Sequence, residues 1–471
     1  MYLKRYFALF VSLTYFILFN SCNHSAQKSE VKIDLQQIKQ RGKLVAITDY
    51  NTINYFIYKG NAMGFQLELL KDFADFSGLK LELKAENNLD NSFSTLKEGD
   101  CDLIAINLTH SKNQGALFSF TEPLMKTRQV LVQRKPANWE KLSEEELEGK
   151  LIRNVYQLCG KTIYVQKNSV FANALKNISS GICGTINIIE VSKQSDQLIG
   201  EVANSKIDYT LCDEMGALVN ENYSSELDAL TAISDYEDLS WAVRKSSPEL
   251  LQLLNTWMIQ YKKTNRYAAL CQKYFKNPID TRLINNDYYV FNSSRISQYD
   301  ELIKKYSKEL NWDWRLLAAL IYNESKFRSN VISHKGAFGI MQLMPHTAVR
   351  FGVNSTSSPE AHIRAGVRML RILDHKFNKE IPNKEERIKF VLAAYNIGLG
   401  HIIDAQVIAG KTNKNPSVWE GNVDSCLLNK SNPKFYQDPD IKCGYCIGKQ
   451  TNKYVSEIVN LYQHYKNIIR E

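Results

Sequence analysis

Glu324 closes a helical stripe. Leu317, Leu320 and Ile321 precede it at the i, i+3, i+4, i+7 spacing of one helix face, so a carboxyl stands on the same side as apolar residues. Withdrawing a carboxylate from water disfavours its charged form and raises its pKa, which leaves a protonated group ready for general-acid catalysis near neutral pH. The competing reading is a helix-end Glu turned to solvent or paired with Lys326 or Arg328, because charged residues are rarely fully buried. Downstream, Gly336 and Gly339 let backbone approach a ligand closely, and Gln342 offers both a donor and an acceptor. Ile388, Val391, Leu392 and Tyr395 form another helical stripe that runs into Asn396, Gly398 and Gly400. No Asp or Glu lies between Glu324 and Glu360, so a mechanism with two carboxylates needs a distant partner such as Asp374.

These residues need a scaffold, and 471 residues suffice for two to four folded units at roughly 100–200 residues each. A composition of 44% hydrophobic and 23% charged residues excludes a mainly disordered chain. After residue 21 no apolar run approaches the ~18 residues of a membrane-spanning helix, which excludes a many-span membrane protein. The net charge of +9 suits an anionic wall polymer or membrane surface as readily as it suits solubility. Neither a cofactor, a metal ion nor a nucleic-acid partner is expected. Lys4 and Arg5 precede an apolar stretch, Tyr6 to Phe19, and then Asn20, Ser21 and Cys22, the pattern of an export signal over residues 1–21.

Residues 22–37 read as a polar tether. From 38 to 275, short β-branched runs alternate with helix-period segments: Lys43 to Thr48, Phe65 to Phe76, Leu79 to Lys84, Ser92 to Glu98, Asp102 to Ile106. A second set includes Thr162 to Val165, Val170 to Leu175, Ile207 to Leu211 and Leu239 to Arg244. This βαβ rhythm predicts a two-lobed α/β domain with a ligand between the lobes. Residues 276–297 read as a linker, and 298–471 as a mainly α domain. Of nine Cys, Cys159 with Cys183, or Cys426 with Cys443 or Cys446, are local bridge candidates; Cys443 and Cys446 also have a zinc or redox spacing without a second pair. His334, His346 and His362 read as structural or exposed.

Three blocks carry a resemblance for residues 38–275. Gly64 to Leu70, Leu96 to Asp102 and Phe120 to Leu124 resemble successive blocks of the family 3 periplasmic solute-binding proteins. In amino-acid-binding members a Thr-rich segment ends in an Arg that clamps the ligand carboxylate. Thr109 begins the matching stretch, but Gln114 stands at the Arg position, and Asp213 matches the reader of a ligand amine. The segment Glu324-Ser-Lys-Phe followed by Ser333 to Pro345 resembles the soluble-lytic-transglycosylase signature, and Tyr395-Asn396-Ile-Gly398 its Ala-Tyr-Asn-x-Gly block. Residues 1–22 resemble a bacterial lipoprotein signal with Cys22 as acyl acceptor, although Phe19 and Asn20 depart from its usual residues.

The order of modules resembles that of the membrane-bound lytic murein transglycosylases. The resemblance implies a multidomain protein, a two-lobed periplasmic-binding-protein-like α/β domain followed by a mainly α lysozyme-like domain. It implies that Glu324 protonates a glycosidic oxygen of peptidoglycan, with Ser333, Gln342, Tyr395 and Asn396 on the glycan strand. It also implies a muropeptide or peptide ligand at Thr109, Gln114 and Asp213, and lipid anchoring at the periplasmic face of the outer membrane. Two other classes stay open on the residues alone: a wall-binding or solute-binding lipoprotein with an inactive transglycosylase fold, and a lysozyme-like hydrolase.

Overall fold

The computed structural model describes residues 31–469 apart from 52, 110, 111, 168, 182–184, 222, 223 and 277–294, and the side chains of 109–114 lie outside it as well. The expected signal, Cys22 and most of the expected linker are therefore outside the described residues.

The N-terminal part forms two α/β lobes. The first contains β1 (Lys43–Thr48), β2 (Phe56–Tyr58), β3 (Asn61–Met63), β4 (Lys80–Ala85), β5 (Leu103–Thr109), β6 (Phe118–Phe120) and β7 (Met125–Thr127). The second contains β8 (Gln129–Arg134), β9 (Thr162–Gln166), β10 (Asn187–Val191), β11 (Tyr209–Asp213) and β12 (Leu227–Ala232), after which β13 (Glu237–Arg244) returns to the first. The sheet orders are β4-β1-β5-β13-β6, with β7 also on β13, and β10-β9-β11-β8-β12. β1 is parallel to β4 and β5 and is buried at every residue but its first, as expected of a central strand covered on both faces. Its run of Leu, Val and Ile supplies those contacts. The chain crosses between the lobes at Arg128 and again over 233–236.

The helices of the first lobe obey local signals. Asn88 caps the Leu89–Glu98 helix through the N–H of Asn91, and Gly99 ends it in the left-handed region at φ 87. Gly64, at φ 142, opens the Phe65–Ser77 helix, where a Cβ would come within 2.2 Å of the Asn54 carbonyl oxygen.

The C-terminal part is helical around a single core. Helices Asp300–Ser307, Trp314–Ser325, Pro359–Phe377, Lys384–Ile397, Leu399–Lys411 and Gly448–Ile468 contribute to it. The sequence predicts one apolar stripe on Lys384–Ile397; in the structure every residue from Phe390 to Tyr395 is buried. The reason is that three neighbours, Pro359–Phe377, Leu399–Lys411 and Gly448–Ile468, pack around it.

The two parts touch through the β2–β3 hairpin and the C-terminal helix. Ile57 of β2 belongs to the helical core, while Ile468 packs on the first lobe. The Tyr55 hydroxyl lies 2.8 Å from His464 Nδ1, and Asn467 donates to the Leu83 carbonyl at 2.7 Å.

Two expectations change. The tether expected over 22–37 is docked at its C-terminal end: the carbonyls of Val31 and Ile33 accept from Ser246 and Ser247, and Asp34 caps Leu35–Arg41. These apolar residues alternate with polar ones and tuck against the first lobe, which a composition-based reading does not register. Cys426, Cys443 and Cys446 carry free thiols, so the bridge considered for them is not formed. Cys426 is buried beside Thr412, whereas Cys443 is exposed. Cys183 is outside the described residues.

Candidate active site

The Trp314–Ser325 helix is capped by Asp313, which accepts from Arg315 N–H, and buries Leu316 to Ile321. It stops at Lys326 and Phe327, both in the left-handed region. Glu324 stands on its last turn, half-buried. Burial lifts its pKa to about 7, offset in part by a hydrogen bond donated by the Tyr454 hydroxyl to Oε1. No other carboxylate among the described residues contributes to that shift. Neither cation weighed from the sequence pairs with Glu324: Lys326 sits over the Tyr322 ring, and Arg328 donates to the Ser325 carbonyl. Asp374 is paired with Arg387 at 2.9 Å.

The loop after the helix is tightly internally bonded. Ser333 N–H donates to the Ala337 carbonyl at 2.8 Å, and its Oγ accepts from Ala337 N–H at 3.0 Å. Gln342 lies at φ 47, and its Nε2 donates to the carbonyls of Val331 and Gly339 at 3.0 and 2.8 Å. Gly339 has no substitute, since a Cβ would fall 1.8 Å from Nδ1 of His362. His362 is itself buried, with Nε2 at 2.8 Å from the Asn354 carbonyl, while His334 and His346 are exposed.

Tyr395 donates its hydroxyl to the Met341 carbonyl at 2.8 Å, tying the Lys384–Ile397 helix to the loop beside Gln342. Burial and the neighbouring Glu324 carboxyl both push its pKa up, which places the phenol near the acid without a hydrogen bond to it. Asn396 is exposed and accepts from the Thr451 hydroxyl at 2.7 Å. The structure thus brings together Glu324, Tyr395 and the Gln342 loop, and joins Asn396 to the C-terminal helix. Ser333 enters only through the loop.

Tyr454 is the site residue that the sequence reading does not single out. It lies with Thr451, Val455 and Ile458 on the buried face of Gly448–Ile468, a pattern indistinguishable from core. Its one clue is the hydroxyl, because a buried Tyr needs a hydrogen-bond partner.

In the N-terminal part, Asp213 ends β11 and accepts from Gly216 N–H at 2.9 Å. Asp49 follows β1 and accepts from Asn51 and Asn54. Burial raises both carboxyls, Asp49 to about 6, and Asp213 adds to the rise at Asp49. Thr109 ends β5 and Gln114 lies in the Lys112–Leu117 helix, with side chains outside those described. Among the described residues no group of three or more His, Cys, Asp or Glu is placed to hold a metal ion.

Known proteins match both parts. Residues 28–277 match the bacterial extracellular solute-binding proteins, family 3, and 301–418 match the transglycosylase SLT domain. A membrane-bound lytic murein transglycosylase F of Desulfosudis oleivorans is 30% identical over 433 residues, covering 91% of each chain. One of Haemophilus influenzae (strain PittGG) is 31% identical over 428 residues, covering 89% of this chain and 84% of the relative. Holo ArgBP from T. maritima matches 51% of this chain and 99% of its own at 22% identity, with a TM-score of 0.41.

Fold and matches define a periplasmic-binding-protein-like α/β domain joined to a helical SLT domain. The chain belongs to the membrane-bound lytic murein transglycosylase F family.

Proposed function

We propose that this chain cleaves the β-1,4 bond between N-acetylmuramic acid and N-acetylglucosamine in peptidoglycan and leaves 1,6-anhydromuramoyl ends, with Glu324 as catalytic acid and then base. The observation that carries the reading is the environment of Glu324: a carboxyl raised to about 7 by burial, bonded to Tyr454, with no second carboxylate among the described residues contributing to its shift. Protonated Glu324 gives its proton to the glycosidic oxygen as the C1–O bond breaks. The resulting carboxylate takes the proton of the muramoyl C6 hydroxyl, whose oxygen bonds to C1. Water does not enter, so no second carboxylate is required to activate it.

Ser333, Gln342, Tyr395 and Asn396 are the proposed glycan contacts. The Gln342 amide N–H groups and the Tyr395 hydroxyl are also bonded to backbone carbonyls, so these two shape the loop as well as meeting the glycan. Residues 1–21 are the proposed signal, and Cys22 the proposed lipid attachment holding domains 38–275 and 298–471 at the periplasmic face of the outer membrane.

Between the lobes, Asp49 and Asp213 suit the amine of a wall-derived peptide or muropeptide, and Gln114 in place of the clamping Arg suits one whose carboxylate is displaced. Ligand closure of the lobes then regulates cleavage, provided the ligand binds the two states with different affinity. Calorimetry of the full chain with wall peptides, with and without Asp213→Asn, tests this: peptide heat lost in the variant is expected, and no peptide heat in the native chain contradicts it.

The cleavage itself is tested with purified peptidoglycan and Glu324→Gln. A folded variant without anhydro products is expected; near-native turnover overturns the assignment of the acid.

A further inference from the structure

We infer that the tip of the β2–β3 hairpin is a positioning element of the active site: Gly60, a residue of the N-terminal α/β domain, fixes the end of the helix that carries Glu324. The inference rests on Glu324 being the catalytic acid.

The helix end needs an outside support. Lys326 and Phe327 are consecutive non-glycine residues at φ 54 and 60, a left-handed conformation that is sterically unfavourable for L-amino acids. Such geometry persists only where the surroundings over-determine it. Part of the surroundings is local. The Lys326 ammonium lies 3.9 Å from the centroid of the Tyr322 ring, and the Phe327 ring packs on Tyr322 at 5.7 Å.

The rest comes from the hairpin. Lys59 at φ 46 and Gly60 at φ 80 make a two-residue turn of the type that needs positive φ at both central positions. A Cβ on Gly60 would meet Tyr322 Cδ2 at 2.6 Å, Phe327 Cε2 at 2.7 Å and the Tyr465 hydroxyl at 2.9 Å. The bare backbone of the turn therefore lies against the two rings that flank Glu324 in sequence. The Tyr465 hydroxyl donates to the Gly60 carbonyl at 2.6 Å and holds the turn there. Tyr465 is on the same Gly448–Ile468 helix as Tyr454, so one rigid rod grips the hairpin at one end and the Glu324 carboxyl at the other. Ile57 in the helical core and Tyr55 on His464 anchor the strand that leads into the turn.

A methyl group at position 60 drives the hairpin and the Tyr322 and Phe327 rings apart, so the helix end that carries these rings loses its outside support. A loosened helix end moves Glu324 toward water, and the loss of burial, the larger of the two influences on its pKa, outweighs any loss of the opposing Tyr454 bond. Its pKa then falls from about 7 toward the ordinary 4.5, and the alkaline limb of the rate profile follows, because the acid must be protonated to act.

The experiment uses the full chain carrying Gly60→Ala, Tyr465→Phe or Gly42→Ala, assayed on soluble glycan fragments across pH. Gly42 is the strain control, with φ 72 and nothing within 4 Å of a Cβ. Gly60→Ala is expected to lower kcat about tenfold or more at unchanged KM, the scale of a small misplacement of a reacting group, and to move the alkaline limb to lower pH. Tyr465→Phe keeps its ring and moves the limb the same way by less; it decides the matter if Gly60→Ala does not fold. Gly42→Ala leaves kcat and the limb in place. An unmoved limb in the hairpin variants overturns the inference whatever stability they lose. Glu324→Gln assayed in parallel separates the two readings: an active Glu324→Gln removes the acid assignment, while an inactive one beside unmoved limbs removes only the role of Gly60.

Discussion

Tyr454 donates its hydroxyl to Oε1 of Glu324 across 130 residues of sequence. That bond holds the carboxyl in place and favours its ionised form, opposing the burial that favours the protonated one. One oxygen is thereby occupied, leaving the other for the proton exchange proposed for Glu324.

Removing the hydroxyl should shift this balance in a defined direction. In Tyr454→Phe the opposing hydrogen bond is lost, so the Glu324 pKa rises above about 7 and the alkaline limb of kcat/KM moves to higher pH. Turnover should fall by about 10- to 100-fold as the carboxyl loses its orientation. A pH–rate series on the two proteins checks both effects; a limb that moves to lower pH contradicts the account.

Glu324 should also cost stability when it ionises. Its folded pKa is raised above the unfolded value near 4.5, so the folded state holds the proton more tightly and loses stability as pH rises from there through about 7. Glu324→Gln keeps the shape without the charge. The variant should melt at a higher temperature than the native chain at pH 8, and the gain should vanish by pH 4. Thermal denaturation at the two pH values measures it.

A buried ion pair pins the loop that precedes the C-terminal helix. Lys430, fully buried, donates to Asp404 Oδ2 at 2.6 Å, and Asp404 also accepts from the N–H groups of Lys442 and Cys443. Lys430→Ala leaves the carboxylate buried without its cation and should destabilise the helical domain by ~3–5 kcal/mol. Urea unfolding followed by tryptophan fluorescence would read this loss.

The proposed lipidation at Cys22 makes a separate forecast. Cys22→Ser should release the cleaved protein from membranes, since the substitution removes the proposed acyl acceptor. Fractionation that leaves the cleaved variant in the membrane pool contradicts lipidation at that residue.

Much of the architecture is legible because its signals are local. The β-branched run at Lys43–Thr48, the Gly99 stop and the Asn88 cap act within a few residues of themselves. The Glu324 stripe is visible for the same reason. Tyr454 and Gly60 are not, because their roles arise only when the last helix packs against both domains. Gln342 and Tyr395 show a related gap: their residue types suggest sugar contacts, whereas their donors are bonded to the backbone of the loop they brace. The sequence reading also starts the first lobe near Ile38, since the docking of Val31 and Ile33 depends on Ser246 and Ser247 more than two hundred residues away.

The central claim is that Glu324 cleaves the glycan without admitting water. Mass spectrometry of the products released from purified peptidoglycan by the full chain measures it directly: the account predicts muropeptides ending in 1,6-anhydromuramic acid, and products with reducing muramic acid ends would contradict it.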